Sequence, residues 1–184
     1  ALNLDKWTFT AGFRDYEIAD GFKSSEFGVF YGGSFGCDGT APEGTTCSEE
    51  NGSESDNRPK FTATYQPNEN LTLFAVSSAG YRPGGNNAAL PYFCANDPEA
   101  SSFQRRYTSD KPENTEFGIK ARGDSFNVNA TYFMIDWTDI QIGIAPECGW
   151  SFQANGGEAE TSGVELDFSF ALTDSLFVDF AGSF

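Results

Sequence analysis

Between Gly163 and Phe180 the chain alternates with a period of two. Val164, Leu166, Phe168, Phe170 and Leu172 fall at every second position, separated by Glu165, Asp167, Ser169 and Ala171. Thr173-Asp174-Ser175 follows, and then Leu176-Phe177-Val178-Asp179-Phe180. Successive side chains on a strand point to opposite faces, so this is a strand with one apolar and one wet side. A helix would need a period near 3.6 and is excluded here. Two such strands joined by a tight turn, and repeated along the chain, build an antiparallel wall.

The same reading finds the repeats. Lys6 to Tyr16 is the first strand, with Trp7, Phe9, Ala11 and Phe13 opposing Thr8, Thr10, Gly12 and Arg14. Lys60 to Gln66 and Leu71 to Tyr81 are the second and third, joined by Pro67-Asn68-Glu69-Asn70; Phe74 and Val76 blur the alternation of the third. Thr115 to Arg122 and Phe126 to Ile142 are the fourth and fifth, turning at Gly123-Asp124-Ser125. The hairpin above supplies the sixth and seventh. Glu26 to Phe35 reads equally as strand or as loop.

Three long polar segments separate these pairs, near 17–57, 82–114 and 143–157. They follow the first, third and fifth strands, whereas the tight turns follow the second, fourth and sixth. In an up-and-down sheet alternate connections lie at opposite ends, so all long segments share one end. So do Cys37, Cys47, Cys94 and Cys148. No C-x-x-C pair and no His is present, which argues against zinc; four loop cysteines indicate disulfides and an oxidising compartment. Three pairings are possible. Closing the short loop between Cys37 and Cys47 leaves Cys94 for Cys148.

The net charge of −16, from 27 acidic and 11 basic residues, argues against nucleic acid as a partner. No apolar run reaches the roughly 20 residues of a membrane helix, which is silent on strands. A soluble sandwich buries one face of each sheet and alternates in the same way. Three details favour a membrane barrel instead: the one-sided long loops, a fifth strand longer than usual, and aromatics near strand ends (Trp7, Tyr16, Tyr65, Tyr81, Trp137) that suit interfacial girdles.

Several segments resemble one family in its own order. The run Pro67 to Gly85, ending Ser78-Ala79-Gly80-Tyr81-Arg82-Pro83-Gly84-Gly85, is similar to the P-x-x-x-L-x-L-Y-A-x-x-S-x-G-Y-R-P-G-G stretch of TonB-dependent receptors. Lys111 to Lys120 resembles their P-E-x-x-x-x-E-x-G-x-K segment with a shorter spacer, and Phe133 to Gln141 resembles F-Y-x-D-W-x-D-I-Q. Asn155 with Ala159 to Leu166 is similar to N-A-G-x-A-x-x-x-G-V-E-L, and Trp7 to Arg14 resembles the L-T-A-G-L-R strand.

The resemblance implies an all-β, antiparallel up-and-down transmembrane β-barrel fragment: residues 1–184 would supply about seven of the family's roughly 22 strands. It implies a bacterial outer-membrane receptor that takes up a scarce nutrient such as a ferric siderophore, with loops facing the extracellular side. Implied partners are outer-membrane lipid, the rest of the barrel and its plug, the TonB complex reached through that plug, and an external small ligand. An open sheet leaves two unpaired edges that hydrocarbon cannot solvate, so the chain is expected to be ordered only beside the rest of its barrel. A secreted, disulfide-bearing β-sandwich binding module and a passive porin or adhesin barrel are the competing readings.

No nucleophile–base pair, phosphate-cradling glycine loop or spaced acid pair is visible, so neither an enzyme nor a cofactor is expected. Arg105-Arg106-Tyr107 with Tyr92, Phe93 and Trp150 forms a basic, aromatic set in otherwise acidic loops, the best candidate for ligand contact. By parity Arg14, Glu116, Lys120, Arg122 and Glu165 face the lumen. Tyr81 to Gly85 reads as strand exit at the rim. Asp136, Asp139 and Gln141 lack the compact spacing of metal ligands and read as strand caps.

Overall fold

The structure, a computed structural model, describes residues 1–27 and 45–184, with side chains described for 1–24 and 49–184. Alternating stretches become one antiparallel sheet of eight strands. In spatial order these are β1 (Leu2–Leu4), β2 (Trp7–Phe27), β3 (Thr45–Asn68), β4 (Leu71–Ala79), β7 (Lys111–Arg122), β8 (Phe126–Thr138), β11 (Ala159–Thr173) and β12 (Leu176–Ser183). Four short strands lie outside it: β5 (Gly85–Asn86) pairs with β6 (Arg106–Tyr107), and β9 (Gln141–Ile144) with β10 (Phe152–Asn155).

Local chemistry sets the turns at one end of the sheet. The Asn68 side chain accepts a hydrogen bond from the Asn70 amide at 2.9 Å, and Thr173 Oγ1 accepts one from the Ser175 amide at 3.3 Å. Both are short side-chain caps that mimic a backbone turn. Gly123 donates to the Phe126 carbonyl at 2.8 Å. Between β1 and β2, Asp5 takes φ 50°, a left-handed conformation that Asp tolerates.

The register stacks like on like. Leu2 faces Phe9, Phe9 faces Ala63, Ala63 faces Ala75, and Ala75 faces Phe117. Phe117 faces Tyr132, which faces Val164. Two rungs along, Val128 faces Phe168, which faces Phe180. One apolar face therefore runs without interruption across all eight strands. Phe13, Phe61 and Phe117 on it are 75 %, 56 % and 50 % exposed, and no second sheet covers it among the described residues. The sandwich reading needed that cover.

Several expectations are corrected. Residues 17–57 are not one long loop: β2 continues to Phe27 and β3 resumes at Thr45, paired rung by rung from Trp7–Tyr65 to Phe27–Thr45. The cause is that polar residues lie on both faces of this hairpin and the few apolar ones, such as Ile18, Ala19 and Phe22, do not alternate with them, so no apolar contrast marks it as strand. The fifth strand does not reach Ile142. β8 ends at Thr138, and Asp139 at φ 54° turns the chain out of the sheet. By parity Tyr16 and Trp137 fall on the polar face, opposite Asp56 and Pro112, so they do not belong to a girdle on the apolar side. Tyr81 stacks on Tyr16 at 3.8 Å, and the Arg82 guanidinium lies 5.6 Å from the Trp137 ring. Cys37 and most of Glu26 to Phe35 lie outside the described residues, as does the side chain of Cys47.

Candidate functional site

The buried core sits in the loops, not in the sheet. Cys94, Ala100, Phe152 and Ala154 are buried, with Phe103 edge-on to Phe152 at 5.3 Å. All belong to the excursions between β4 and β7 and between β8 and β11. Cys94 and Cys148 form a disulfide that ties these two excursions together, as expected. Asp97 reinforces the tie by accepting a hydrogen bond from the Cys148 amide at 2.9 Å.

Side-chain amides knit the same cluster. Asn87 donates to the carbonyls of Gln104 and Gln153 at 2.8 and 2.7 Å and accepts from the Gln153 amide. Asn155 accepts from the Thr108 amide at 2.6 Å and donates to the carbonyls of Thr108 and Asp139. That last bond holds the left-handed turn that ends β8. Irregular backbone buried beside a sheet must satisfy its polar groups somehow, and here Asn side chains satisfy them.

One carboxylate braces the loop cluster internally, and two pin it to the sheet. Asp110, fully buried, accepts from Arg82 Nε at 2.9 Å and Nη2 at 2.5 Å. Gln141 donates through its side chain to the carbonyls of Arg82, Pro83 and Thr108. Asp20, on the protruding part of β2, accepts from Arg106 Nη1 at 2.8 Å and from the Asn86 side chain. Glu54, on β3, accepts from the Gly84 amide at 2.9 Å, the Ser109 amide at 3.1 Å and the Ser109 hydroxyl at 2.5 Å. Burial pushes the Glu54 carboxyl up. The Ser109 hydroxyl, the two amides and the Arg106 charge outweigh it, so the group titrates below its ordinary value.

Asp20 and Glu54 share the sheet face that carries Arg14 and Arg58, by parity along β2 and β3. The loop cluster therefore folds over the polar face, against the protruding hairpin. Neither acid was singled out from sequence, because each bond joins segments far apart in the chain; no local spacing could reveal them.

The expected ligand set separates into two groups. Arg106 is committed to Asp20, and Tyr107 is half-buried in its pairing with Gly85. Tyr92 and Phe93 are exposed, edge to face at 5.9 Å on a single 3-10 turn (Tyr92–Cys94) that ends at the disulfide. Arg105 is exposed, and Trp150 is half-buried two residues beyond Cys148. The disulfide thus brings the Tyr92–Phe93 turn and the Trp150 segment to one place. Arg14, Glu116, Lys120, Arg122 and Glu165 all fall on the polar face, opposite Arg58, Val76, Thr72, Asn127 and Thr131 respectively. Among the described residues no group of three or more His, Cys, Asp or Glu is arranged to hold a metal ion.

The family model described as TonB dependent receptor-like, beta-barrel matches residues 1–184. Among solved structures, the ferric yersiniabactin uptake receptor FyuA from Yersinia pestis is similar at TM-score 0.73 and 16 % identity, over 98 % of this chain and 24 % of that one. The FrpB iron transporter from Neisseria meningitidis is similar at TM-score 0.62 and 21 % identity, over 98 % and 23 %. The copper transporter OprC follows at TM-score 0.64 and 14 % identity, over 98 % and 27 %. Identities this low speak for the fold alone. The chain spans about a quarter of the length of these structures. No curated protein sequence matches it. With a family model spanning every residue, and an eight-stranded antiparallel sheet that superimposes on such barrels, the chain belongs to the TonB-dependent receptor β-barrel family.

Proposed function

We propose that this chain is a wall segment, with its outer loops, of an outer-membrane receptor that imports a scarce nutrient such as a ferric siderophore. The observation that carries the reading is the unbroken apolar face. Eight hydrogen-bonded strands presenting Phe, Leu, Ile and Val on one side and charge on the other suit a wall between hydrocarbon and a wet lumen. A strand tilted at about 45° crosses a bilayer core in roughly 9–11 residues, and β4, β7 and β8 have 9, 12 and 13. The loop cluster then faces outward, with Arg14, Glu116, Lys120, Arg122 and Glu165 towards the lumen. Neighbours named for iron and for copper show that the fold does not choose the cargo.

Tyr92, Phe93, Arg105 and Trp150 are the residues that meet the cargo first. A planar, anionic ferric chelate suits aromatic rings and an exposed guanidinium carried on the same loop cluster. The test is a titration of the purified full-length receptor with ferric complexes of a catecholate and a hydroxamate chelator. Binding of one of them, weakened about tenfold or more in Tyr92→Ala and Trp150→Ala, is expected. Binding of neither, or binding indifferent to both substitutions, removes the ferric-chelate reading.

A further inference from the structure

We propose that Arg14, Arg58 and Lys60 form a binding site for an oxyanion, a carboxylate or phosphate group, on the polar face of the sheet. Arg14 and Arg58 are direct cross-strand partners, and Lys60 stands one same-face rung further along β3, opposite Gly12 and Ser78. Like charges placed directly opposite each other on a sheet destabilise it, so the trio requires an offsetting negative group. The chain as a whole is strongly acidic, at −16, and yet it supplies almost none here. Asp56 bonds Arg58 Nη2 at 2.6 Å, and its other oxygen accepts from the Asn57 amide. Arg14 and Lys60 have no carboxylate partner among the described residues.

A second observation points to a ligand independently of charge. The Arg58 side chain is only 7 % exposed, and its Nε has no hydrogen-bond partner. A buried guanidinium N–H left unmade is costly, and native structures leave few of them. Next to it is room: Gly12, Arg14, Arg58, Lys60, Ser78 and Tyr81 line a hollow of about 450 Å³. Gly12 opens the floor, since a Cβ there would meet nothing within 4 Å. The Tyr81 ring borders the hollow and is held in place by stacking on Tyr16 at 3.8 Å. A planar guanidinium beside a second guanidinium and an ammonium matches the geometry and charge of an oxyanion. The inference concerns this patch alone and holds whatever the receptor's cargo.

The anion has two possible sources, a free solute or a carboxylate from another part of the full receptor. Two measurements on the full-length protein in detergent at low ionic strength separate them. Inorganic phosphate is titrated by calorimetry into the parent, Arg14→Gln, Lys60→Gln and the double variant. In parallel a carbodiimide joins Lys60 Nζ to any carboxylate in contact with it, and the partner is identified by peptide mass spectrometry. Saturable phosphate binding weakened tenfold or more in the double variant establishes a site open to solutes. Absent phosphate binding, a Lys60 cross-link to a carboxylate outside residues 1–184, lost in Lys60→Gln, establishes the internal partner. Neither phosphate binding nor any cross-link beyond Asp56 overturns the proposal. Because Arg14 and Lys60 are exposed, their substitution leaves folding intact, which unchanged heat-modifiable migration of the variants checks.

Discussion

The ring of Phe74 reaches over Gly118 across the β4–β7 pair, so close that a Cβ on Gly118 would stand 2.2 Å from Phe74 Cζ. Lys120 extends over the same ring, with Nζ 5.4 Å from its centroid. An apolar ring on the polar face is thus covered from two sides by its neighbours on β7.

Gly118→Val is expected to destabilise the barrel by about 1–3 kcal/mol, because the ring has nowhere to move without leaving that cover. Phe74→Ala in the same background is expected to recover most of the loss. Chemical unfolding of the full-length receptor in detergent measures both. Equal stability of Gly118→Val and the parent would show that the ring is free to swing aside.

This pair also marks what alternation conveys and what it hides. The face of each main strand was legible because one side is apolar almost without exception, as in Phe9, Phe61, Ile119, Val128 and Phe168. β4 was ambiguous for the reason just given: Phe74 is apolar but lies on the polar face, and the Gly118 that accommodates it is 44 residues away in the chain. The upper halves of β2 and β3 were illegible because Glu17 to Lys23 and Glu49 to Asn57 carry polar residues on both sides. Cys94–Cys148 was legible from loop position alone. The clamps on the loops were not, since Asp20 and Arg106, or Glu54 and Ser109, meet only after the sheet has formed.

The Arg82–Asp110 pair yields an asymmetric expectation. Asp110 is fully buried whereas half of the Arg82 side chain reaches solvent. Arg82→Gln leaves a buried carboxylate without its cation, while Asp110→Asn leaves a guanidinium that water can still reach. The first is expected to cost about 2–4 kcal/mol and the second about 1–2 kcal/mol. Protease sensitivity of the 80–110 segment, together with unfolding of the two variants, ranks them. The reverse order would mean that Asp110 is stabilised by its other donors, such as the Gln141 amide at 3.4 Å.

Glu54 makes the loop clamp sensitive to acid. Its carboxyl titrates below the ordinary value, so the bonds to Gly84 and Ser109 favour the ionised form. A depressed folded value means that this stabilisation is complete above the unfolded carboxyl's ordinary value, near 4.5, and is lost as pH falls through the folded one. Asp20 and Arg106 face the same junction, paired at 2.8 Å. The protection of the Gly84 and Ser109 amides, relative to their intrinsic exchange at each pH, is therefore expected to be high at pH 6 and to fall as the pH drops through the depressed folded value. In Glu54→Gln the exchange is expected to be fast already at pH 6 and to lose its pH-dependent component. Protection that persists unchanged into acid would assign the clamp to Asp20 and Asp110 instead.

The two faces of the sheet give the strongest contrast. Ile119 lies between Leu73 and Ala130 on the apolar face, while Val76 lies between Thr62 and Glu116 on the other. Both are aliphatic, and both sit mid-strand. If hydrocarbon covers the first face and water the second, an arginine is costly at one and tolerated at the other. Ile119→Arg is expected to lower the stability of the full receptor in lipid vesicles by about 2–4 kcal/mol. Val76→Arg, beside the Glu116 carboxylate, is expected to change it by less than about 1 kcal/mol. Denaturant unfolding in vesicles reads the difference. A cost at Val76 equal to that at Ile119 would mean that protein packs as tightly on the polar face as lipid does on the other, and the wet lumen would have to be given up.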